Sequence, residues 1–583
     1  MNIFFFSSLS LIAPFMYKST DIDSNNKFKW VSLLVLSLAL AIIVIDGTVL
    51  NVSQKYVIQD LNTDIKTIQW AFTSYSLVLA GLTILGGRLG DLFGRKRAFV
   101  LGAIIFAAGS AMTALAKDSA GLILGWSVVE GIGAALMVPA SSALLVSNFE
   151  GKERGIAFGV YGATAGAASS FGPILGGFFA SNIGWRWAFG INVVIAVFLV
   201  LGSLIVKDNK KHYPKTVYLD YLGAILSTVG LTSVMYGIIE SGDYGWLKAK
   251  KAFEFMGSSF NLANLSISFW AIIIGIIFSI LFVWYELKLE KNGKSPLVSM
   301  SIFKNRQFSV GVGTLSALFA GFSGLITYGV VFFFLVVRGM GAFETGLALI
   351  PFSLATFIMA PLSSKLGDKI GQKNLVVLGL VINAIGGLLI YKTINYEAQS
   401  SDFILPFIIT GIGFGMIAAQ LNNIILSSVH VSEAGVASGI NGTLREVGRA
   451  FGVSIIGAVF ISTISAGAIS NIQAQNDSTI PSITRNAIIQ KFNKGENSLA
   501  KNDSLTDEKI LDQARSQGIK IEIPEIKANY LLSYRKIEAN ISEQINRAVT
   551  EGSKISLLYT FGFTILAILI ALSLQSKKIE VTH

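Results

Sequence analysis

Two carboxylates, Asp46 and Glu130, stand inside long apolar segments of the sequence. An ionisable group at membrane depth costs at least about 2.5–3.5 kcal/mol, so each acid requires a partner or a function. Burial disfavours the charged form of a carboxyl group, whereas a bound cation favours it. A proton and a nearby cation would therefore compete for the Asp46 carboxylate. The alternative for this residue is a position at the outer membrane interface, bonded to Thr48 or Asn51.

Glu130 is expected near the midplane of its segment, where it can share a proton with Asp46, because two neighbouring carboxylates do not readily ionise together. The alternative is a Glu130 that faces a packed polar neighbour. A second charged group, Arg445, Glu446 and Arg449, falls within about one helical turn. The spacing of Glu446 and Arg449 permits mutual neutralisation. A cationic pair facing a cavity would instead favour anionic or zwitterionic substrates.

The composition argues against several other kinds of chemistry. The chain has no cysteine and only three histidines, His212, His430 and His583, so it offers no disulfide, thiolate nucleophile or thiolate metal site. It also has no G-x-x-x-x-G-K-[ST] phosphate loop, so nothing supports ATP-driven work. We predict neither an enzyme nor a cofactor or metal site, and any pumping by this chain must draw on an ion gradient. The net charge is +11, but the lysines and arginines that carry it lie in short loops between apolar segments, which argues against nucleic acid as a partner.

The elements that must hold these residues are membrane helices. Hydrophobic residues make up 52% of the chain and charged residues 14%, and apolar runs of roughly 20 residues, enough to cross a bilayer, recur along it. In lipid such runs are helical, because each backbone group must be satisfied within its own segment. The predicted spans are 29–50, 70–87, 98–116, 120–147, 156–180, 187–206, 219–240, 268–286, 307–336, 345–364, 374–391, 403–426, 436–463 and 555–575.

These fourteen spans predict an all-α polytopic membrane protein with two six-helix bundles and two inserted helices. The expected domains are an N-terminal tail (1–27), the first bundle (28–207), a linker with two extra helices (208–306), the second bundle (307–576) with an external loop (464–553), and a C-terminal tail (577–583). Lysine and arginine concentrate in the short loops of one side, so the positive-inside rule places both termini in the cytoplasm. Within the external loop, residues 529–549 look like a solvated amphipathic helix, and a partly disordered linker is the alternative.

Similarity between distant stretches indicates an internal repeat. The segment GDLFGRK at 90–96 returns as GDKIGQK at 367–373. Three further stretches share one offset: 131–133 with 411–413, 153–162 with 433–442, and 171–172 with 451–452. The two bundles are therefore expected to be parallel copies of one unit. A substrate site between two such units is the structural basis of alternating access.

Four motifs in order resemble those of the major facilitator superfamily and, within it, of the fourteen-helix drug:proton antiporters. IIVIDGTVLNV (42–52) resembles the aspartate motif of the first helix, and GGRLGDLFGRKR (86–97) resembles the motif between helices 2 and 3. SSFGPILGG (169–177) resembles the antiporter motif of helix 5, and GWRWAFGIN (184–192) resembles a stretch typical of fourteen-helix members. Two positions depart from the family pattern: Ser127 stands in helix 4 where antiporters of this family carry an arginine, and Ala168 stands where glycine is usual in the helix-5 motif.

The resemblance implies a major facilitator fold and proton-coupled efflux of lipophilic, cationic drugs through the cell membrane. The alternatives are an exporter of an endogenous amphiphile, such as a fatty acid, lipid or siderophore, and a membrane-embedded receptor or scaffold. The expected partners are a small lipophilic substrate, protons and membrane lipids, with the chain acting as a monomer. Proton coupling is assigned to four charged residues: Asp46, Glu130, Arg445 and Glu446.

Three further sets complete the predicted site. The conformational latch, which would hold the two bundles together at the cytoplasmic side, comprises Gly87, Gly90, Asp91, Gly94, Arg95 and Asp368. The antiporter motif, whose small residues would pack tightly against another helix, comprises Gly159, Gly172, Pro173, Gly176 and Gly177. Candidates for substrate binding, by ring stacking or neutral hydrogen bonds, are Trp70, Tyr75, Phe322, Tyr328, Gln420 and Asn423.

Overall fold

The computed structural model describes residues 26–63, 65–208, 219–255, 258–260, 264–474 and 524–575. In these ranges a long helix occupies each predicted span. The first eight are α1 (Asn26–Asp60), α2 (Ile65–Phe93), α3 (Arg95–Ala114), α4 (Ser119–Asn148), α5 (Gly151–Asn182), α6 (Arg186–Gly202), α7 (Tyr221–Tyr244) and α8 (Ile267–Lys291). The last six are α9 (Arg306–Val337), α10 (Ile350–Ile370, after a short helix Ala342–Ala348), α11 (Gln372–Thr393), α12 (Ile404–Ser427), α13 (Ala434–Gln473) and α14 (Pro524–Leu572).

Thirteen helices of the described ranges are long and apolar enough to cross a membrane, which makes this a multi-pass membrane protein. The remaining long helix, α5, has 32 residues and is rich in glycine, alanine and serine, so it is less apolar than the others. The all-α prediction is confirmed for the membrane part. The connection between α7 and α8 adds a short antiparallel hairpin that the sequence analysis did not predict, β1 (Phe253–Phe255) paired with β2 (Ser258–Phe260).

Helices α1 to α6 and α9 to α14 are called the first and second half below. Within the first half α1 packs on α5, and α4 packs on both α2 and α3; within the second half α12 packs on both α10 and α11, and α13 packs on α9 and α14. The halves meet where α5 contacts α10 and α12, and where α2 and α4 contact α13. The inserted helices α7 and α8 pack on each other, and α7 also contacts α2 and α13.

Two helices are much longer than the predicted spans. Helix α13 continues to Gln473, and α14 begins at Pro524 and runs for 49 residues. The helix predicted at 529–549 is therefore confirmed, but it is continuous with the last membrane span. Asn471 of α13 donates to the carbonyl of Gln544 of α14 across 3.5 Å, so the two extensions lie side by side. Residues 475–523 of the predicted external loop lie outside the described ranges.

The end of the bundle that carries the α2–α3 turn is called the turn end. At the opposite end, Asp60 closes α1 and accepts hydrogen bonds from the Arg186 guanidinium and from Trp185 Nε1, the latter across 3.0 Å. The Arg186 guanidinium holds the pKa of Asp60 below its ordinary value. Arg186 also donates to the carbonyl of Ala116, two residues after the end of α3, across 2.7 Å. This contact fixes the ends of α1, α3 and α6 around the interior of the first half.

Candidate functional site

The structure brings Asp46 and Glu130 together in the interior of the first half. Asp46 on α1 is 1% exposed and Glu130 on α4 is fully buried. Trp126 Nε1 donates to Asp46 Oδ2 across 2.7 Å, and Asn192 Nδ2 on α6 donates to Asp46 Oδ1 across 2.9 Å. Ser110 on α3 donates to Glu130 Oε1 across 2.7 Å. These five residues, called the acid cluster below, join four helices.

The two carboxyl groups of the acid cluster lie on either side of one amide, that of Asn192. Asn192 Nδ2 also approaches Glu130 Oε1 at 3.4 Å, so one amide touches both acids. The second oxygen, Glu130 Oε2, is buried and accepts no hydrogen bond from any residue of the described ranges. A buried acceptor without a donor is costly. A proton placed between the two acids would satisfy it.

The local sequence explains how α4 presents this cluster. Residues Ile123–Glu130 form a π-helical stretch, a feature that is frequent at functional sites. Gly109 of α3 lies directly against the backbone of Glu130, and a Cβ at Gly109 would stand 2.7 Å from the carbonyl of Gly125. Glycine on both helices therefore lets the α3 and α4 backbones touch beside the acids.

Trp126 is the centre of an aromatic contact that sequence reasoning missed. Its ring stacks on Tyr75 with centroids 4.9 Å apart and meets Phe72 edge-on at 5.1 Å. Sequence reasoning also missed Ser110 and Asn192. Their available signals were weak: Trp126 stands one helical turn before Glu130, and Asn192 ends the GWRWAFGIN stretch.

The expected positions of the acids need two corrections. Asp46 was expected to face a cavity between the halves, but it is enclosed by α1, α4 and α6 of the first half. The alternative at the outer interface is also wrong, because the Thr48 hydroxyl donates to the carbonyls of Val44 and Ile45.

Ser127 is fully buried and donates to the Ala71 carbonyl of α2 across 2.7 Å. The position of the missing arginine is thus a neutral contact between α2 and α4.

Arg445 and Glu446, predicted to act with Asp46 and Glu130, form a separate cluster on α13 of the second half. Glu446 pairs with Arg449 at 2.7 Å and with Arg445 at 3.7 Å. Arg449 reaches across the halves to Ser76 of α2 at 3.1 Å, and Arg445 lies 5.7 Å from the ring centre of Phe319. The mutual neutralisation expected for Glu446 and Arg449 is confirmed.

Tyr75 and its neighbour Ser76 link the two charged clusters. Tyr75 stacks on Trp126 of the acid cluster, and the next residue of α2, Ser76, accepts a hydrogen bond from Arg449 of α13. The Tyr75 hydroxyl is buried and makes no hydrogen bond with any described residue. Helix α2 therefore contacts both charged clusters at adjacent positions.

At the turn end, Asp91 of α2 joins the two halves. This carboxylate is 2% exposed and accepts hydrogen bonds from the backbone amides of Gly435 at 3.1 Å and Val436 at 2.9 Å, at the start of α13. The first turn of a helix carries unpaired N–H groups and a partial positive charge, which favour a carboxylate. Arg95 also donates to Asp91 Oδ1, through Nε at 3.0 Å and through Nη2 at 2.8 Å.

The latch predicted for Asp91 therefore has the expected geometry, and Arg95 extends it to the Val431 carbonyl of the second half. Arg95, the first residue of α3, thus pairs with an acid of the neighbouring helix α2. The backbones of Gly87 and Gly435 touch, so neither position has space for a side chain. Gly94 has φ 116°, a conformation that favours glycine.

Two latch residues contribute less. Gly90 packs beside Arg95 and Ala98, with a Cβ position 3.6 Å from the Ala98 methyl, so it serves the α2–α3 turn only. The side chain of Asp368, the counterpart of Asp91 in the second half, lies outside the described part of the chain.

The antiporter motif packs α5 against both halves. A Cβ at Gly159 would lie 2.8 Å from Ser364 Oγ of α10, and one at Gly177 would lie 3.2 Å from Phe343. Gly172 lies against Thr48 and Ile45 of α1, Gly176 is buried, and Pro173 approaches Gly346. The predicted close packing of these small residues is confirmed.

The six candidates for substrate binding occupy different neighbourhoods. Trp70 is 42% exposed and stacks on Tyr236 of the inserted α7, so its placement in a central site is wrong. Phe322 stacks on Phe414 with centroids 4.4 Å apart. Tyr328 packs on Phe460 inside the second half.

The two neutral candidates lie towards the turn end. Gln420 donates to the Ser363 carbonyl across 2.8 Å, and Asn423 accepts a hydrogen bond from Ser427 at 3.0 Å. Asn423 also faces Gly155 of the first half. Tyr75, described above, is the one candidate joined to the acid cluster.

Comparison with known proteins identifies relatives over most of the chain. Residues 36–453 match the Major Facilitator Superfamily model. The probable actinorhodin transporter of Streptomyces coelicolor is 30% identical over 76% of this chain and 74% of that protein. The tetracenomycin C resistance and export protein of Streptomyces glaucescens is 25% identical over 75% and 76%. The multidrug transporter protein MdtP of Bacillus subtilis is 29% identical over 71% and 72%.

Solved structures share the fold at low identity. The human organic anion transporter MFSD10 superimposes with a TM-score of 0.50 and 14% identity, over 74% of this chain and 94% of that chain. The proton:xylose symporter XylE gives 0.51 and 13%, over 74% and 88%.

Proposed function

Because the chain belongs to the Major Facilitator Superfamily, we propose that it is a secondary transporter that exports lipophilic, cationic drugs in exchange for protons by alternating access. The relatives named above include an export protein and a multidrug transporter, which supports outward transport of a small lipophilic substrate. The chain lies in the cell membrane with its turn end towards the cytoplasm, and both termini are cytoplasmic. The chain acts as a monomer among membrane lipids.

The observation that carries the proposal is the burial of Asp46 and Glu130 around one amide, that of Asn192. Two adjacent carboxylates in a low-dielectric interior repel each other, so the pair retains one proton. Loss of this proton leaves a second negative charge, which a cation held near Tyr75 offsets. Proton and cationic substrate therefore exclude each other, and this exclusion couples their movements.

The latch supplies the conformational half of the cycle. The contacts of Asp91 with Gly435 and Val436 close the turn end, and opening of that end must break them. Since α2 carries both Asp91 and Tyr75, a movement of this helix alters the latch and the stack on Trp126 together. Exchange of proton for substrate is in this way tied to the change of access.

A second candidate function is export of an endogenous anionic or zwitterionic amphiphile. The observation in its favour is Arg445, which lies over the ring of Phe319 beside the interface of the halves. A guanidinium against an aromatic ring suits an anionic head group with an apolar tail. Mass spectrometry of the lipids retained by the purified protein tests this candidate.

Reconstituted vesicles with an imposed pH gradient test the main proposal. Ethidium transport by the wild type should follow the gradient, with protons moving in the opposite direction. Asp46→Asn should abolish both movements, whereas Asp60→Asn, which alters an exposed carboxylate paired with Arg186, should retain them. Ethidium transport that ignores the pH gradient would overturn the proposal.

A further inference from the structure

A second pair of acids, Asp220 and Glu286, lies at the turn end, in the inserted helices. Asp220 caps the start of α7, where its Oδ1 accepts a hydrogen bond from the backbone amide of Gly223 at 2.9 Å. Glu286 of α8 is fully buried, and its Oε2 accepts a hydrogen bond from the backbone amide of Val298 at 3.3 Å. The function proposed above uses neither residue.

Each of these acids has one oxygen without a donor. Asp220 Oδ2 and Glu286 Oε1 are buried and accept no hydrogen bond from any residue that the structure describes. Both oxygens point at Gly223, where a methyl group would overlap them. The Cβ position of residue 223 would lie in contact with both Asp220 Oδ2 and Glu286 Oε1, so the two oxygens are neighbours. Glycine at position 223 thus leaves a hollow in which two unsatisfied acceptors converge.

We propose that Asp220 and Glu286 form a second proton-binding site, which holds one proton between the two converging oxygens. A proton is the smallest ligand that turns one of two facing acceptors into a donor. It also removes the repulsion that two adjacent carboxylates would suffer in a buried hollow. The site belongs to the inserted α7–α8 pair.

The charged and titratable groups that face this site connect it to the latch. Tyr285 contacts Asp220 from α8. Arg88 of α2 donates to Ser295 Oγ across 2.6 Å, in the segment that follows α8. The guanidinium of Arg88 interacts electrostatically with Asp220 and Glu286, and also with Asp91 and Glu433 beside the latch.

Arg88 therefore senses the charge of the proton site. When Asp220 and Glu286 lose their shared proton, their negative charge attracts the Arg88 guanidinium more strongly. Arg88 lies three residues before Asp91 on α2. The α7–α8 pair in this way adjusts the latch according to pH, without contact with the substrate.

Thermal unfolding as a function of pH tests the site independently of transport. The folded protein holds a proton that the unfolded chain releases above the ordinary carboxyl range of about pH 4, so the stability should fall as the pH rises. The measurement uses the full-length protein in nanodiscs from about pH 5 to about pH 9. A background with both Asp46→Asn and Glu130→Gln removes the two titratable groups of the acid cluster.

In that background, Glu286→Gln should flatten the fall of Tm with pH and preserve Tm at low pH, because an amide donates to Asp220 as a protonated acid does. Glu290→Gln is the matched control, one turn further along α8, where the carboxylate accepts a hydrogen bond from Ser299 at 3.0 Å; its slope should equal that of the parent. Arg88→Gln should move the fall to higher pH, because a neighbouring cation favours release of the proton.

Three results would overturn this inference. The first is a Glu286→Gln variant whose Tm falls with pH as steeply as that of the parent, so that Tm is lowered equally at every pH. This outcome would describe a purely structural carboxylate. Recovery of the high-pH Tm by sodium chloride but not by choline chloride would identify the ligand as a metal cation instead of a proton. An unchanged pH midpoint in Arg88→Gln would remove the connection to the latch.

Discussion

The indole of Trp126 donates a 2.7 Å hydrogen bond to Asp46 while its ring lies parallel to that of Tyr75, at an interplanar angle of 10°. One side chain thus holds the carboxylate of the proposed proton site and stacks on the residue that faces the second half. A movement of Tyr75 would therefore alter the hydrogen bond that supports Asp46.

Trp126→Phe should shift the pH profile of drug transport to higher pH. The substitution keeps a ring for the Tyr75 stack but removes the hydrogen bond that favours the charged form of Asp46, so the proton is released less readily. Initial rates in vesicles at several pH values measure the shift. Trp185→Phe is the matched control, because it removes an indole donor to the remote Asp60; a shift of equal size in both variants would contradict the prediction.

Asp91→Asn should open the turn end. It leaves Arg95 buried without its ionic partner, a change that costs about 3–5 kcal/mol, and it weakens the anchor at the start of α13. The chain has no cysteine, so spin labels at Phe93→Cys and His430→Cys report the separation of the halves, which should increase. Asp118→Asn, which preserves the cap of α4 on Gly121, should leave the distance unchanged, and an unchanged distance in Asp91→Asn would refute the latch.

Gly159→Ala should destabilise the contact between the halves. The added methyl would stand 2.8 Å from Ser364 Oγ and 3.0 Å from the Ala360 carbonyl, and overpacking of this kind costs about 1–3 kcal/mol. Both Tm and the transport rate should fall. Gly242→Ala, on α7 with no atom within 4 Å of the new Cβ, should stabilise its helix by up to about 1 kcal/mol. Equal Tm values in the two variants would show that α5 tolerates the methyl group.

Glu446→Gln should change the charge preference of the transporter. Without this carboxylate, Arg445 and Arg449 present two uncompensated cations beside the interface. Inhibition of ethidium transport by anionic amphiphiles should strengthen, and inhibition by cationic ones should weaken. Competition curves for a matched pair of cationic and anionic detergents measure both changes. An unaltered preference would place the substrate away from α13.

The resemblance of the sequence to a known family pointed to many residues of the candidate site, because the family motifs occur in order along the chain. The latch is an example: the glycines of the α2–α3 turn and Asp91 are recognisable in sequence, and the structure places Asp91 on the start of α13. The substrate candidates are the opposite case. Trp70 and Phe322 are alike in sequence terms, yet one stacks on α7 at the surface and the other packs on Phe414, since only packing decides which face of a helix meets which neighbour.

The sequence by itself determined the membrane class, the number of helices and the duplicated motif, because the length and polarity of each segment follow from bilayer thickness and from the need to satisfy the backbone in lipid. Only the tertiary structure decided which charges meet. Asp46 joins Glu130 through Trp126 and Asn192, while Arg445 and Glu446 stay apart on α13. The physical reason is that contacts between helices depend on how each helix is rotated and how closely the helices approach. Glycines such as Gly109 permit a close approach, but only the packed structure shows which helix approaches there.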